Sequence, residues 1–140
     1  MRRFNNVSDI VAVNWNDLVG ASENHVDLFE QVVRDVKEAI SEAAAQVASA
    51  AAVETVAARE LERIRYQAQL WQRRAIRAIE SGDDALAQRT LARKHEHQKR
   101  AAVLEQQLEA ARLATIAQTR QLDLLKFRLA EARRFLERSP

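Results

Sequence analysis

A run of alternating four- and three-residue steps constrains this chain more than any other feature. Starting from Phe29, the steps land on Val33, Val36, Ile40, Ala43, Val47, Ala50, Glu54, Ala57, Leu61, Ile64, Ala68, Trp71, Ala75 and Ala78. Fourteen of these fifteen positions are apolar, and the exception is Glu54. A spacing that averages 3.5 residues keeps one narrow stripe of a helix turned towards a partner helix, so residues 26–80 read as one continuous coiled-coil helix. The many alanines on the stripe let the partner approach closely.

The run stops at Ser81-Gly82-Asp83-Asp84. Apart from Gly20 and Pro140, Gly82 is the chain's only glycine or proline. Glycine enters the left-handed backbone conformation that closes a helix without a Cβ clash. Asp83 or Asp84 can then accept hydrogen bonds from the free N–H groups of a following helix and favour its positive end. A stop followed at once by a start predicts a hairpin turn at Gly82, Asp83 and Asp84.

Beyond the turn the ladder resumes as Ala101, Leu104, Leu108, Ala111, Thr115, Gln118, Leu122, Leu125, Leu129, Ala132 and Leu136. Carried back towards the turn it passes through His97, Lys94 and Thr90, a wetter stretch, with Leu86 and Leu91 expected to pack from its flanks. Folding about Gly82–Asp83 pairs residues whose numbers sum to roughly 166, a register that follows from antiparallel packing. Glu54 then faces Arg112, which predicts an ion pair at the one charged seam position. The fold class expected is all-α: a long antiparallel two-helix coiled-coil hairpin preceded by a short N-terminal amphipathic helix. Its divisions are residues 1–22 for that helix and a linker, and 23–140 for the hairpin, with helices at 24–81 and 85–138 about a turn at 81–84.

The N-terminal helix is expected over residues 3–19. At 100° per residue, Phe4, Val7, Val11, Trp15, Leu18 and Val19 fall on one arc, whereas Asn5, Asn6, Asp9, Asn16 and Asp17 fall opposite, with Val13 among them. Gly20 supplies a stop, and Asn24 with Asp27 resembles a cap for the next helix. An apolar arc with Phe and Trp can lie among lipid headgroups or pack against the rest of the protein, and the residues leave both readings open.

Composition removes several functions. The absence of cysteine excludes disulfides and thiol chemistry. No apolar run approaches the roughly 20 residues that span a bilayer. His95 and His97 stand two apart and point to different faces of a helix, so metal binding is not expected and no cofactor is implied. No glycine-rich phosphate loop occurs, and a helix pair offers no pocket to shift a carboxylate, so no catalytic residue is nominated and the chain reads as a non-enzyme. The net charge of +2 is unevenly spread: residues 24–58 carry −4 and residues 59–100 carry +5. The basic region is either a solvated mixed surface or a docking face for an acidic partner. Its interleaved acids argue against nucleic acid.

Three stretches together resemble the phage-shock-protein A family, which includes the vesicle-inducing protein of plastids and cyanobacteria and is related to ESCRT-III. They are Phe4 with Ser8 to Val19, Trp71-Gln72 with Ala75, and Gly82 to Lys94. Their order and spacing fit without gaps. The resemblance implies a cytoplasmic protein, peripheral on the inner membrane, that assembles with itself and remodels or protects the bilayer. It makes Phe4, Val7, Val11, Trp15, Leu18 and Val19 the lipid-facing set, with anionic membrane lipids as the partner. In one branch of the family the hairpin inhibits an enhancer-binding AAA+ ATPase, and Trp71, Arg73, Arg74 and Arg77 are candidate docking positions for it, although no matched motif assigns them. Two features depart from the pattern. Family members continue past the position of Pro140 into helices that complete polymer contacts, and their Asp-Pro at the start of the hairpin is here Asn24-His25.

Overall fold

The computed structural model describes residues 7–20 and 25–138, and among these it contains helices and no strand. The elements are α1 (Val7–Val11), α2 (Trp15–Gly20), α3 (His25–Glu80) and α4 (Asp84–Arg138). With 56 and 55 residues, α3 and α4 are unbroken helices that pack against each other as a hairpin. Every ladder position from Phe29 to Ala78, and from Thr90 through Leu136 on α4, is buried or half-buried.

The turn is built from the residues that signalled it. Gly82 has φ +77°, the left-handed region. The Asp83 N–H donates to the Ala78 carbonyl at 2.9 Å and the Gly82 N–H to the Ile79 carbonyl at 3.1 Å. These two bonds form the Schellman closure and satisfy carbonyls that the end of α3 would otherwise leave open. Asp83 then caps α4, its Oδ1 accepting from the Leu86 N–H at 3.0 Å. Leu86 itself is 38% exposed, and the seam beside the turn is filled by Ala87 and Thr90. Thr90 tolerates burial because its hydroxyl is returned to its own helix, donating towards the Leu86 and Ala87 carbonyls at 2.9 and 3.0 Å.

The chain divides into two compact units, residues 1–49 with 115–140, and residues 50–114. The second unit has a thin core of Leu61, Ile64, Ala101 and Leu104, with Leu108 packed beside it. Ion pairs flank this core from helix to helix: Arg65 to Glu105 at 2.6 Å, Arg100 to Glu60 at 3.4 Å and Arg112 to Glu54 at 3.7 Å. The residue numbers of the three pairs sum to 160–170, which places the register.

The first unit is thicker. Phe29, Val32, Val36, Leu125 and Ala132 are fully buried there, and Ile10, Trp15 and Leu18 from the short helices close the core. Phe29 stacks on Phe135 with centroids 5.3 Å apart and meets Trp15 at 5.8 Å.

Candidate functional site

The site is the short segment ahead of the hairpin and the surface it covers. One continuous helix over residues 3–19 is expected from the apolar arc, but the structure has two helices broken at Ala12, Val13 and Asn14. The break has a local cause in Asn14. Its Oδ1 accepts from the Asn16 N–H at 3.0 Å and the Asp17 N–H at 3.4 Å, which makes it the N-cap of α2. Asp17 adds a negative charge in the first turn of α2, at its positive end.

The break re-aims the side chains. Trp15 and Leu18 are buried, Val7 and Val11 are half-buried, and Ile10, which lies off the expected arc, is 3% exposed. Val13 would sit on the polar side of a continuous helix, and the break lets it pack against the core instead. Phe4, Asn24 and the side chain of Val19 lie outside the described residues.

Arg128 of α4 holds the break, a role that nothing in the sequence distinguishes from that of Arg133 or Arg134. Its Nε donates to the Ile10 carbonyl at 3.4 Å, and one terminal nitrogen donates to the Val13 carbonyl. The other terminal nitrogen pairs with Glu131 Oε1 at 2.7 Å. The guanidinium also lies 4.8 Å from the Trp15 ring centroid, within cation–π range. A side chain only 14% exposed therefore has its charge compensated from several directions. An open cleft of about 420 Å³ borders the same place, lined in part by Val11, Asn14, Arg128 and Phe135. One group is left unsatisfied: the Trp15 Nε1 donor is buried without a hydrogen-bond partner among the described residues. Such a donor costs about 1–3 kcal/mol relative to a bonded one.

A second cluster surrounds Trp71 in the other unit. The Arg74 guanidinium lies 4.6 Å and that of Arg93 6.0 Å from its ring centroid, and the His97 ring is tilted against it at 6.4 Å. His97 Nδ1–H donates to the Arg93 carbonyl at 2.8 Å. Trp71 is half-buried, whereas Arg73, Arg74 and Arg77 are exposed. Among the described residues no group of three or more His, Cys, Asp or Glu is placed to hold a metal ion. No helix among them is long and apolar enough to cross a membrane.

Comparison with known proteins places these features in a context. The model of the PspA/IM30 family matches residues 3–137. The membrane-associated protein Vipp1 of Synechocystis is 31% identical over 133 residues, 95% of this chain and 50% of the relative. Vipp1 of Nostoc punctiforme is 27% identical over 133 residues, 95% of this chain and 52% of the relative. The chain thus spans about half the length of these relatives.

Proposed function

Since the chain belongs to the PspA/IM30 family, we propose that it is a non-enzymatic coiled-coil protein that binds the cytoplasmic face of the inner membrane peripherally, through its N-terminal segment, and assembles there with itself to remodel or protect the bilayer. The observation that carries this reading is the apolar segment itself. Ile10, Val11, Trp15 and Leu18 belong to helices that supply no position of the α3–α4 ladder and pack on it from outside, so the segment can leave while the two long helices stay paired. Indole rings favour the headgroup level, where the apolar body and the N–H are both accommodated. The Vipp1 relatives, which are membrane-associated by name, support the same reading. Self-assembly is supported by large apolar side chains that the hairpin leaves in the open, including Leu124 at 47% and Phe127 at 56% exposure.

The test is co-sedimentation with vesicles containing phosphatidylglycerol. Replacing Val11 and Leu18 together with glutamate is expected to abolish pelleting while far-UV circular dichroism holds its helical signal. Undiminished pelleting of the double variant would remove lipid binding by this segment.

The Trp71 cluster favours a second reading, in which the hairpin docks on and inhibits an enhancer-binding AAA+ ATPase. Arg74 lies over the half-buried Trp71 ring, and Arg73 and Arg77 present further unburied charge on the same helix. Under this reading an Arg73→Ala/Arg74→Ala/Arg77→Ala variant relieves inhibition in an ATPase assay. A wild-type hairpin without effect on the ATPase sinks it.

A further inference from the structure

We infer that residues 7–20 switch between two exclusive forms: a broken form docked on α3 and α4 and clamped by Arg128, and a continuous helix that offers its apolar arc to a lipid surface. This rests on the membrane reading above and adds a closed state that opposes it. The carbonyls that Arg128 holds, those of Ile10 and Val13, are within its reach because α1 stops short of α2: the Asp17 N–H turns to Asn14 instead of the Val13 carbonyl, and the Ile10 carbonyl accepts from the Val13 N–H at 3.4 Å. In a continuous helix the Ile10 carbonyl accepts from the Asn14 N–H and the Val13 carbonyl from the Asp17 N–H. Arg128 therefore binds the broken form and has no such acceptors in the continuous one. The Asn14 cap is selective in the same sense, because it occupies the Asp17 N–H that a continuous helix would claim.

The two forms bury different residues. The broken form takes in Ile10 and Val13 along with Trp15 and Leu18. The continuous form gathers Val7, Val11, Trp15 and Leu18 on one arc and turns Val13 to the polar side, where its burial is lost. The closed state also carries a fault, the unpartnered Trp15 Nε1. At a headgroup layer that donor finds water or phosphate oxygen, so lipid relieves a group the closed state leaves wanting. Clamp and fault act in opposite directions, and a segment balanced in this way opens when a surface is offered.

The experiment uses the full chain and two substitutions outside the lipid-facing arc. Arg128→Met keeps much of the side-chain volume and removes every donor. Asn14→Ala removes the cap and raises the propensity for a continuous helix. In both, amide exchange of residues 10–18 is expected to accelerate on the order of tenfold or more, with exchange across α3 and α4 unchanged. Both should reach half-maximal binding to phosphatidylcholine–phosphatidylglycerol vesicles at several-fold lower lipid. For Arg128→Met this gain runs against the loss of a positive charge, which by itself weakens attraction to an anionic surface. Arg128→Lys, with a single ammonium in place of the fork, should fall between wild type and Met. Unchanged exchange at residues 10–18 overturns the clamp whatever the vesicles do. Faster exchange with unaltered vesicle binding overturns the closed state as an inhibitor and leaves the membrane reading standing. Faster exchange in chains that never bind vesicles, wild type included, overturns the membrane reading and with it the purpose of the switch.

Discussion

The unit formed by residues 1–49 and 115–140 and the unit formed by residues 50–114 are made from the same two helices and the same ladder, yet their interiors differ. In the second unit α3 and α4 have only each other. Each buries one stripe, and the large buried side chains reduce to Leu61, Ile64 and Leu104. In the first unit α1 and α2 add a third layer, so α3 buries a second row: Val32 is fully buried and Asp35 is 6% exposed although neither lies on the ladder. Asp35 accepts from Gln31 Nε2 at 3.0 Å, which helps to satisfy a carboxylate drawn under that layer. The heptad pattern determines which helices pair, and the added layer determines how deep the packing becomes.

The largest expected effect lies in the layered unit. Phe29→Ala removes a ring stacked on Phe135 and tilted against Trp15 and should destabilise by about 3–5 kcal/mol in urea unfolding. Ile64→Ala, in the thin core, should fall near the lower end of the range for such truncations, about 2 kcal/mol, because a two-helix seam can close on the gap. Equal losses at the two sites would erase the distinction between the units. Gly82→Ala should cost about 1–2 kcal/mol, all of it from backbone strain, since a Cβ there meets nothing within 4 Å. Glu54→Gln should shift stability by no more than about 1 kcal/mol, because Arg112 is 53% exposed and screened by solvent.

The smallest effect is a dependence on pH. The Arg63 hydrogen bond, aided by the charges of Arg63 and Arg100 and opposed by desolvation, holds Glu60 below the ordinary 4.5 of a glutamate. A carboxylate depressed in the folded state contributes stability at pH values above 4.5 and loses that contribution as the pH falls through its folded value. The carboxyl resonance of Glu60 followed by NMR should therefore titrate at lower pH than that of an unpaired glutamate, and Arg63→Ala should return it.

The hairpin was legible in the sequence because its determinants are periodic and local. The 4–3 ladder identifies the faces, Gly82 and Asp83 identify the turn, and the Glu54–Arg112 separation of 3.7 Å fits a register counted from that turn. The N-terminal segment was legible as apolar and short, but not as broken. Periodicity weighs side chains alone, and here a backbone cap at Asn14 and a distant guanidinium outweighed it. Ile10 and Val32 were missed for a related reason: both are buried where the short helices pack on the long ones, a contact that the pairing of α3 with α4 does not require. Leu86 was expected to pack on the flank of the seam, but it is exposed, and the tight closure at Gly82 assigns the first inward positions of α4 to Ala87 and Thr90.

The Gly82 turn also sets an order of events. Contacts between the long helices span fewer residues towards the turn and many more at the far ends, as the 40 between Arg65 and Glu105 compare with the much longer span from Phe29 to Phe135. Chain closure grows less favourable with the span it must close, so pairing starts at the turn and advances outward. A change at Gly82 then slows refolding, whereas a change at Phe29 or Arg128 mainly speeds unfolding. The N-terminal segment docks last, onto a surface that exists only after the two long helices have met.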